Sequence, residues 1–447
     1  MKIALFVSSV GDTDLALKTI AALKKMDIDN FVVISLTETA QQRVDVFQDC
    51  PVSKLSIKEL LATEQCPKTL SQQDLDGIKA YLTRNKIDSV YIGVPSSQQA
   101  APFQLAQSLD LPVFIAYEYM FKQEQHALWE HLPRLARKSN VRWSIPLPTA
   151  REDFTAVDED HLHVTGHLSI DNAFNAGAAT VNKERTRVLL QIGAEDSLTF
   201  ISSTTQPFAV DASFVKALLA EVKNHPHIQL RLGLHPGITD LDGYLNKILA
   251  VFAEHPEAAS QFKIILPDNL VAKLKHPELI NTPLYQTLFL RPIENVSGAD
   301  ASAIAERVGQ AVPGALLNQA ALEGKAAYSH QGKPYLPRQF FSQSVSAFFT
   351  AKKEPMRNKE DLQLDELTAP EKLATLMLAQ VRESQQPDFT LRLLSGLTVG
   401  AGLVFLLGIA LAQPLTTLGG LVVGLAALSL YALRAGQDEV GPQLSLG

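Results

Sequence analysis

Short apolar runs bounded by polar turns recur along the first three-quarters of the chain, and the segments between them carry apolar residues at helical spacing. Ile3-Ala4-Leu5-Phe6-Val7 predicts a buried first strand, with Gly11 and Asp12 in the turn after it and a helix over 14–25. The same alternation continues with strands at 31–35, 89–94 and 112–117 and helices at 71–85 and 102–109. Continuous apolar strands separated by helices predict a parallel sheet covered on both faces, so residues 1 to about 165 read as one doubly wound domain. A second series follows the polar stretch 175–187. It predicts strands at 187–193, 228–233 and 262–266 and helices at 212–224, 241–255 and 301–309. Residues 312–329 then read as strand, glycine turn, helix and strand. Two successive doubly wound domains imply a cleft at the carboxyl ends of their strands, the expected place for a ligand.

The pattern changes after residue 350. Residues 352–366 are charged and read as a linker, and 370–380 carry helical spacing at Leu373, Leu376 and Met377. Beyond them, Leu393 to Ala412 is twenty residues without a charge, and Leu415 to Leu433 is nineteen more. Twenty helical residues span roughly 30 Å, the hydrocarbon thickness of a bilayer. Gln413-Pro414 breaks the pair, and Gly396-x-x-x-Gly400 and Gly420-x-x-x-Gly424 permit close helix approach. A transmembrane hairpin over 391–434 is expected, the other option being an apolar hairpin at the interface or buried in an oligomer. Arg392 and Arg434 flank the pair while the connection is uncharged, which predicts that both termini lie on the cytoplasmic side of an inner membrane.

Composition narrows the function. At 447 residues the chain has room for two or three domains, and 46% hydrophobic residues exclude a disordered protein. A net charge of −7 without a basic block gives nucleic acid no electrostatic purchase. Cys50 and Cys66 have no CxxC spacing and read as reduced thiols in a cytosolic compartment. The N-terminal run has only five apolar residues after one lysine, too few for a signal peptide.

A strand leading into His235-Pro236-Gly237, followed some eighty residues later by Gly314-Ala315-Leu316-Leu317-Asn318-Gln319-Ala320-Ala321-Leu322-Glu323-Gly324-Lys325, resembles the C-terminal domain of two-domain (GT-B type) glycosyltransferases. Within that group it is most similar to bacterial sialyltransferases and capsule-type transferases. Thr204-Thr205-Gln206-Pro207-Phe208 resembles the Gln-Pro loop of such domains, and Val164 to Asp171 resembles the segment that enters the second domain in related sugar-nucleotide enzymes. The resemblance implies a GT-B-like pair of Rossmann-like domains: 1–170 on the acceptor side, 171–350 binding the nucleotide sugar, and 351–390 as linker and crossover helix. It implies that His235, Pro236, Gly237, Gly314 and Ala315 hold the donor phosphate, the histidine as an imidazolium. It also implies Glu323 as a ribose contact, unless Glu323-Gly324-Lys325 is only a helix cap.

The chain departs from that family at two places. Gly314-Ala315 replaces the family's hydroxyl pair, leaving backbone N–H groups at a helix N-terminus as anion donors. The family's acidic triplet has no counterpart, so Asp12 and Asp196 are the candidate catalytic carboxylates, with Glu195, Asp171 and Glu118 in reserve. Asp12 is equally readable as a helix cap. No metal-ligand set is apparent, and Asp240 and Asp242 lack a third partner, so a metal-independent reaction without a bound cofactor is expected. The expected function is a membrane-anchored glycosyltransferase, with a nucleotide sugar as donor, a glycan or lipid-linked acceptor, membrane contact through 393–433, and no nucleic acid partner. The alternative is a non-catalytic sugar-nucleotide-binding or partner-binding module on the same fold.

Overall fold

The computed structural model describes residues 1–47, 52–95, 99–174, 182–204, 208–235, 237–238, 240–290, 296–332 and 334–385. Residues 1–377 form one compact unit, and the chain from 378 onward forms a second. The hairpin expected over 391–434 lies outside the described residues, among which no helix is long and apolar enough to cross a membrane.

The compact unit contains two sheets. The first comprises β1 (Lys2–Val7), β2 (Asn30–Ser35), β3 (Ser53–Ser56), β4 (Ser89–Gly93), β5 (Val113–Ala116), β6 (Val141–Ile145) and β7 (Leu162–Val164), in the order β3-β2-β1-β4-β5-β6-β7. The second comprises β8 (Ser197–Ser202), β9 (Ile228–Gly233), β10 (Phe262–Ile265), β11 (Phe289–Leu290), β12 (Arg307–Gln310) and β13 (Ala326–Ser329), in the order β11-β10-β9-β8-β12-β13. Every pairing is parallel. The central strands are largely apolar because both faces are covered: Ile3 to Val7 and Val90 to Ile92 are fully buried.

Local chemistry starts the helices where the strands end. Ser9 caps the helix Val10–Lys24 and Asp12 reaches back to the cap, a reciprocal pair repeated at Ser71 and Asp74 and at Ser297 and Asp300.

Two expectations are corrected. The run 187–193 is not a strand: Asn182 caps a helix over Lys183–Leu189, and Val188 faces solvent. The strand is β8, ten residues later. The helix expected over 301–309 is a helix over Gly298–Ile304 followed by β12. Four strands went unread, for recognisable reasons: β3 is a largely exposed edge, β6 is interrupted by Arg142, β7 has three residues and β11 has two.

The charged segment after residue 351 leads to a helix over Ala369–Gln385, which buries Ala369, Leu373, Ala374 and Met377. Asp171, on the helix Leu168–Phe174, accepts the Ala369 N–H at 2.8 Å and lies 3.8 Å from the Lys359 ammonium. Asp171 is thus a buried cap for the returning helix and not a cleft carboxylate. Asp171→Ala leaves that N–H without its partner and is expected to cost about 1–3 kcal/mol, read as a lower urea midpoint at unchanged m-value.

Candidate functional site

In open parallel sheets the crevice forms where neighbouring strands connect in opposite directions. In the second sheet that point lies between β8 and β12. A cavity of about 400 Å³ opens there, lined by Ser202 at the end of β8, His235 after β9, Gln310 at the end of β12, and Gly314 and Ala315. Gly314 caps the helix Ala315–Leu322 without a side-chain bond. A Cβ at this position would stand 2.7 Å from the Gln310 amide, so glycine lets the turn close over that side chain in its present position. The Gln310 Oε1 is buried and finds no hydrogen-bond partner among the described residues. Asn318 fixes the turn by donating from Nδ2 to the Gly314 carbonyl at 2.8 Å. The first N–H groups of this helix have no intrahelical partner and stand at the positive end of its dipole, and Gly314, Ala315 and Leu316 line the cavity.

His235 projects beside them. Its backbone N–H donates to Ser203 Oγ at 2.7 Å, and its Nδ1 accepts the Gly237 N–H at 3.0 Å. An accepting Nδ1 puts the ring proton of the neutral tautomer on Nε2, the nitrogen left to serve a ligand. Although part of the ring is open to solvent, desolvation by the surrounding protein, with the charge of Lys273 second, lowers its pKa. The expected imidazolium is therefore corrected to a neutral N–H donor. Pro236 and most of the Gln-Pro loop lie outside the described residues. The end of that loop is held by Asp211, which accepts the Thr204 N–H at 2.8 Å and the Tyr244 hydroxyl at 2.9 Å.

Two sequence candidates fall away from the cavity. Asp196 and Glu195 precede β8, and because parallel strands share one direction, this edge is a strand length, roughly 17–20 Å, from the carboxyl ends. Asp196 instead lies near Arg231, a fully buried guanidinium that donates to the carbonyls of Leu190, Leu230, Gln261 and Gln191. Glu323 closes the far end of the Ala315–Leu322 helix. It pairs with Lys325 at 2.8 Å and accepts from Gln319 at 2.9 Å, while Gly324 adopts a positive φ of 72°, so the helix-cap reading is the one this geometry fits. Asp240 caps the helix Leu241–Ala253 and Asp242 accepts the Lys275 N–H.

The first sheet has its own switch point between β1 and β4, and a carboxylate pair occupies it. Asp12 is fully buried. Its Oδ2 accepts the Ser8 N–H at 2.8 Å, and its Oδ1 accepts the Ser9 N–H at 2.7 Å and the Ser9 hydroxyl at 2.9 Å. Gly93 makes room for it, since a Cβ there would meet Asp12 Oδ2 at 2.3 Å. Asp12 is thus walled off from ligand, and the carboxylate that reaches the cleft is Glu118, two residues past β5. Glu118 packs on Gly11, and its Oε1 lies 3.4 Å from the Ser9 hydroxyl. Burial, and then the charge of Asp12, push Glu118 well above the usual carboxylate range, and burial raises Asp12 to about 7. His167 stands behind Glu118, its Nδ1 engaged by the Ser169 hydroxyl at 2.7 Å, and burial lowers its pKa to about 4.

These groups meet in one cleft of about 480 Å³ within the compact unit. Gly11, Glu118, Tyr119 and His167 form one wall, and His235, Gly314 and Ala315 the other. The helix Leu168–Phe174, which leaves the first sheet, packs on the Ala315–Leu322 helix and holds the walls in register. Sequence reading gave Gln310 no role and took His167 only as part of the segment entering the second domain. Their signal is positional, since each sits immediately beyond or at the carboxyl end of a strand that the run lengths left unread or misplaced.

No protein-family model and no curated protein sequence matches the chain. Solved structures do. A Staphylococcus aureus protein, MnaA, solved with UDP superposes with a TM-score of 0.53 at 11% identity, over 86% of this chain and 96% of that one. The UDP-GlcNAc 2-epimerase of Neisseria meningitidis bound to UDP-GlcNAc gives 0.51 at 12%, over 86% and 100%. A glycosyltransferase of Rickettsia africae gives 0.51 at 11%, over 86% and 93%. At such identities the likeness establishes the fold: two α/β domains of the GT-B type, as the sequence resemblance implied.

The buried pair has a thermodynamic signature. A carboxyl whose pKa is raised on folding binds its proton more tightly in the native state, so stability is lost as pH climbs from the unfolded value near 4 through about 7. Glu118→Gln removes one of the two charges. Its stability relative to the native protein is expected to rise between pH 5 and pH 8 in urea titrations, and a pH-independent difference would contradict the arrangement.

Proposed function

We propose that the protein is a glycosyltransferase that takes a sugar from a nucleotide-sugar donor. The observation that carries this reading is the meeting, in one cleft, of an anion-binding helix terminus from the second sheet and a proton-accepting carboxylate from the first. The 171–350 region holds the donor, with its phosphates against the N–H groups at Gly314 and Ala315 and against His235 Nε2–H. The 1–170 region presents the acceptor. Glu118, once ionised, takes the proton of an acceptor hydroxyl, whose oxygen attacks the anomeric carbon. The bond from that carbon to the phosphate oxygen breaks, and the departing charge is met by donors already in place. Backbone N–H groups and a neutral imidazole do this work without a metal ion.

UDP and UDP-GlcNAc, bound in two of the structural neighbours, are the first donors to test. His235→Ala is expected to weaken UDP binding about 10- to 100-fold by calorimetry, the scale of one hydrogen bond to a charged group. Glu118→Gln should leave that binding intact and lower turnover by about 100-fold or more. Turnover of the native enzyme should fall on the acid side as Glu118 takes up its proton, at a pH well above the usual carboxylate range. The lack of hydroxyls at Gly314-Ala315 favours one other reading, a binding module of the same fold. Unimpaired UDP binding with no transfer to any glycan or lipid-linked acceptor would establish it. The narrower affinity with sialyltransferases and capsule-type enzymes belongs to this proposal and predicts CMP-sugar or polysaccharide chemistry as the next screen.

We further propose that residues 393–433 anchor the protein as a helical hairpin in the inner membrane, with both termini and the catalytic unit cytoplasmic. Cytosolic sugar nucleotides and a membrane-delivered acceptor would then meet at the cleft. The full chain should resist carbonate extraction while a chain ending at residue 385 is released. Release of the full chain would refute the anchor.

A further inference from the structure

The carboxylate pair at the first switch point is built as a unit. The Ser9 hydroxyl lies 2.9 Å from Asp12 Oδ1 and 3.4 Å from Glu118 Oε1, bridging the two. Each carboxylate fills the space of a missing side chain, Asp12 against Gly93 and Glu118 against Gly11. Neither forms an ion pair among the described residues. Asp14 is turned outward to Arg43 at 2.6 Å, and Lys18 lies on the cleft wall. The other titratable groups around the pair are Tyr91 on β4, Tyr119 and His167. Burial and the pair's own charge keep both tyrosines protonated, and burial keeps His167 neutral. Two buried negative charges without a counter-ion repel each other and lack solvation, so the arrangement favours a shared proton.

We propose that Asp12 and Glu118 form a carboxyl dyad bridged by Ser9 that holds one proton near neutrality, with Asp12 the positioning residue that sets how strongly Glu118 binds it. The donors decide which member is ionised. Asp12 accepts two backbone N–H groups and the Ser9 hydroxyl, which stabilise its anion, while Glu118 receives only the long Ser9 contact and the Asp12 N–H. The proton therefore rests on Glu118, the member facing the cleft. When both are ionised, Glu118 is a stronger base than an isolated glutamate, because taking a proton relieves the repulsion. In the transfer step the acceptor O–H bond breaks, its proton goes to Glu118, and its electron pair forms the new bond to the anomeric carbon. This catalytic consequence rests on the glycosyltransferase reading. The dyad itself does not.

The test is carboxyl NMR of the full-length protein in detergent, without substrate, with ¹³C-labelled glutamate and aspartate. Glu118→Gln and Asp12→Asn identify the two resonances. In the native protein Glu118 should titrate far above an ordinary glutamate. In Asp12→Asn its midpoint should fall by about one pH unit or more, a tenfold loss of proton affinity. Coupling is reciprocal, so in Glu118→Gln the Asp12 midpoint should fall by a similar amount, a reading that survives if Asp12→Asn does not fold. With a donor in hand, Asp12→Asn should also move the acidic limb of kcat to lower pH while leaving UDP affinity unchanged. A purely structural Asp12 would alter urea stability and leave the Glu118 titration where it was. That outcome, or an ordinary midpoint for Glu118 in the native protein, overturns the dyad whatever the enzyme transfers. A verified dyad in a protein that transfers no sugar would refute the function alone.

Discussion

Parallel pairing of every strand is the constraint on which the rest of the molecule depends. It sends all carboxyl ends of a sheet to one edge and forces each connection to return across a face, so both faces are covered and the strands must be apolar. Few polar groups can then lie along the strands, and one that does, Arg231 on β9, needs four carbonyl partners. The chain gathers the others at the loops beyond the carboxyl ends, and the two switch points, β1 against β4 and β8 against β12, become the two walls of one cleft.

The walls are made from opposite electrostatic materials. The second sheet offers donors, helix N–H groups and a histidine whose Nδ1 is already committed to Gly237, beside the unpartnered Gln310 amide oxygen. The first sheet offers acceptors held at high cost, two carboxylates taken out of water with few compensating bonds. Glycine sits at each point of contact because the approach leaves no room for a Cβ: Gly93 against Asp12, Gly11 against Glu118, Gly314 against Gln310. Polar groups on one wall that favour an anion, and on the other that hold a proton, are what moving a sugar from a phosphate to a hydroxyl requires.

The same physics explains why Asp12 could be picked out in the sequence and yet misread. A Ser-x-x-Asp after an apolar strand is a capping box, and the structure contains one at Ser9 and Asp12. A cap carboxylate normally points along its helix toward solvent. Here β4 and the residues after β5 close over it, and the segment after β5 supplies Glu118 from 106 residues further along the chain. No local pattern announces that encounter.

The doubly wound architecture was legible in the chain alone, since the regular alternation of short apolar runs such as Ile3 to Val7 with helical segments fits a parallel sheet covered on both faces. The chain alone also determined the glycine turn at Gly314, because a glycine before an apolar helix is a local feature, and the two uncharged stretches of the tail. Tertiary structure decided which carboxylate faces the cleft, which edge of the sheet Asp196 occupies, and that Glu323 is spent on Lys325. It decided as well that His235 is neutral. The physical reason is range. Helix caps, strand burial and hydropathy are set by neighbours a few residues away, whereas desolvation, charge coupling and access to a cleft are sums over groups that only the folded chain brings together.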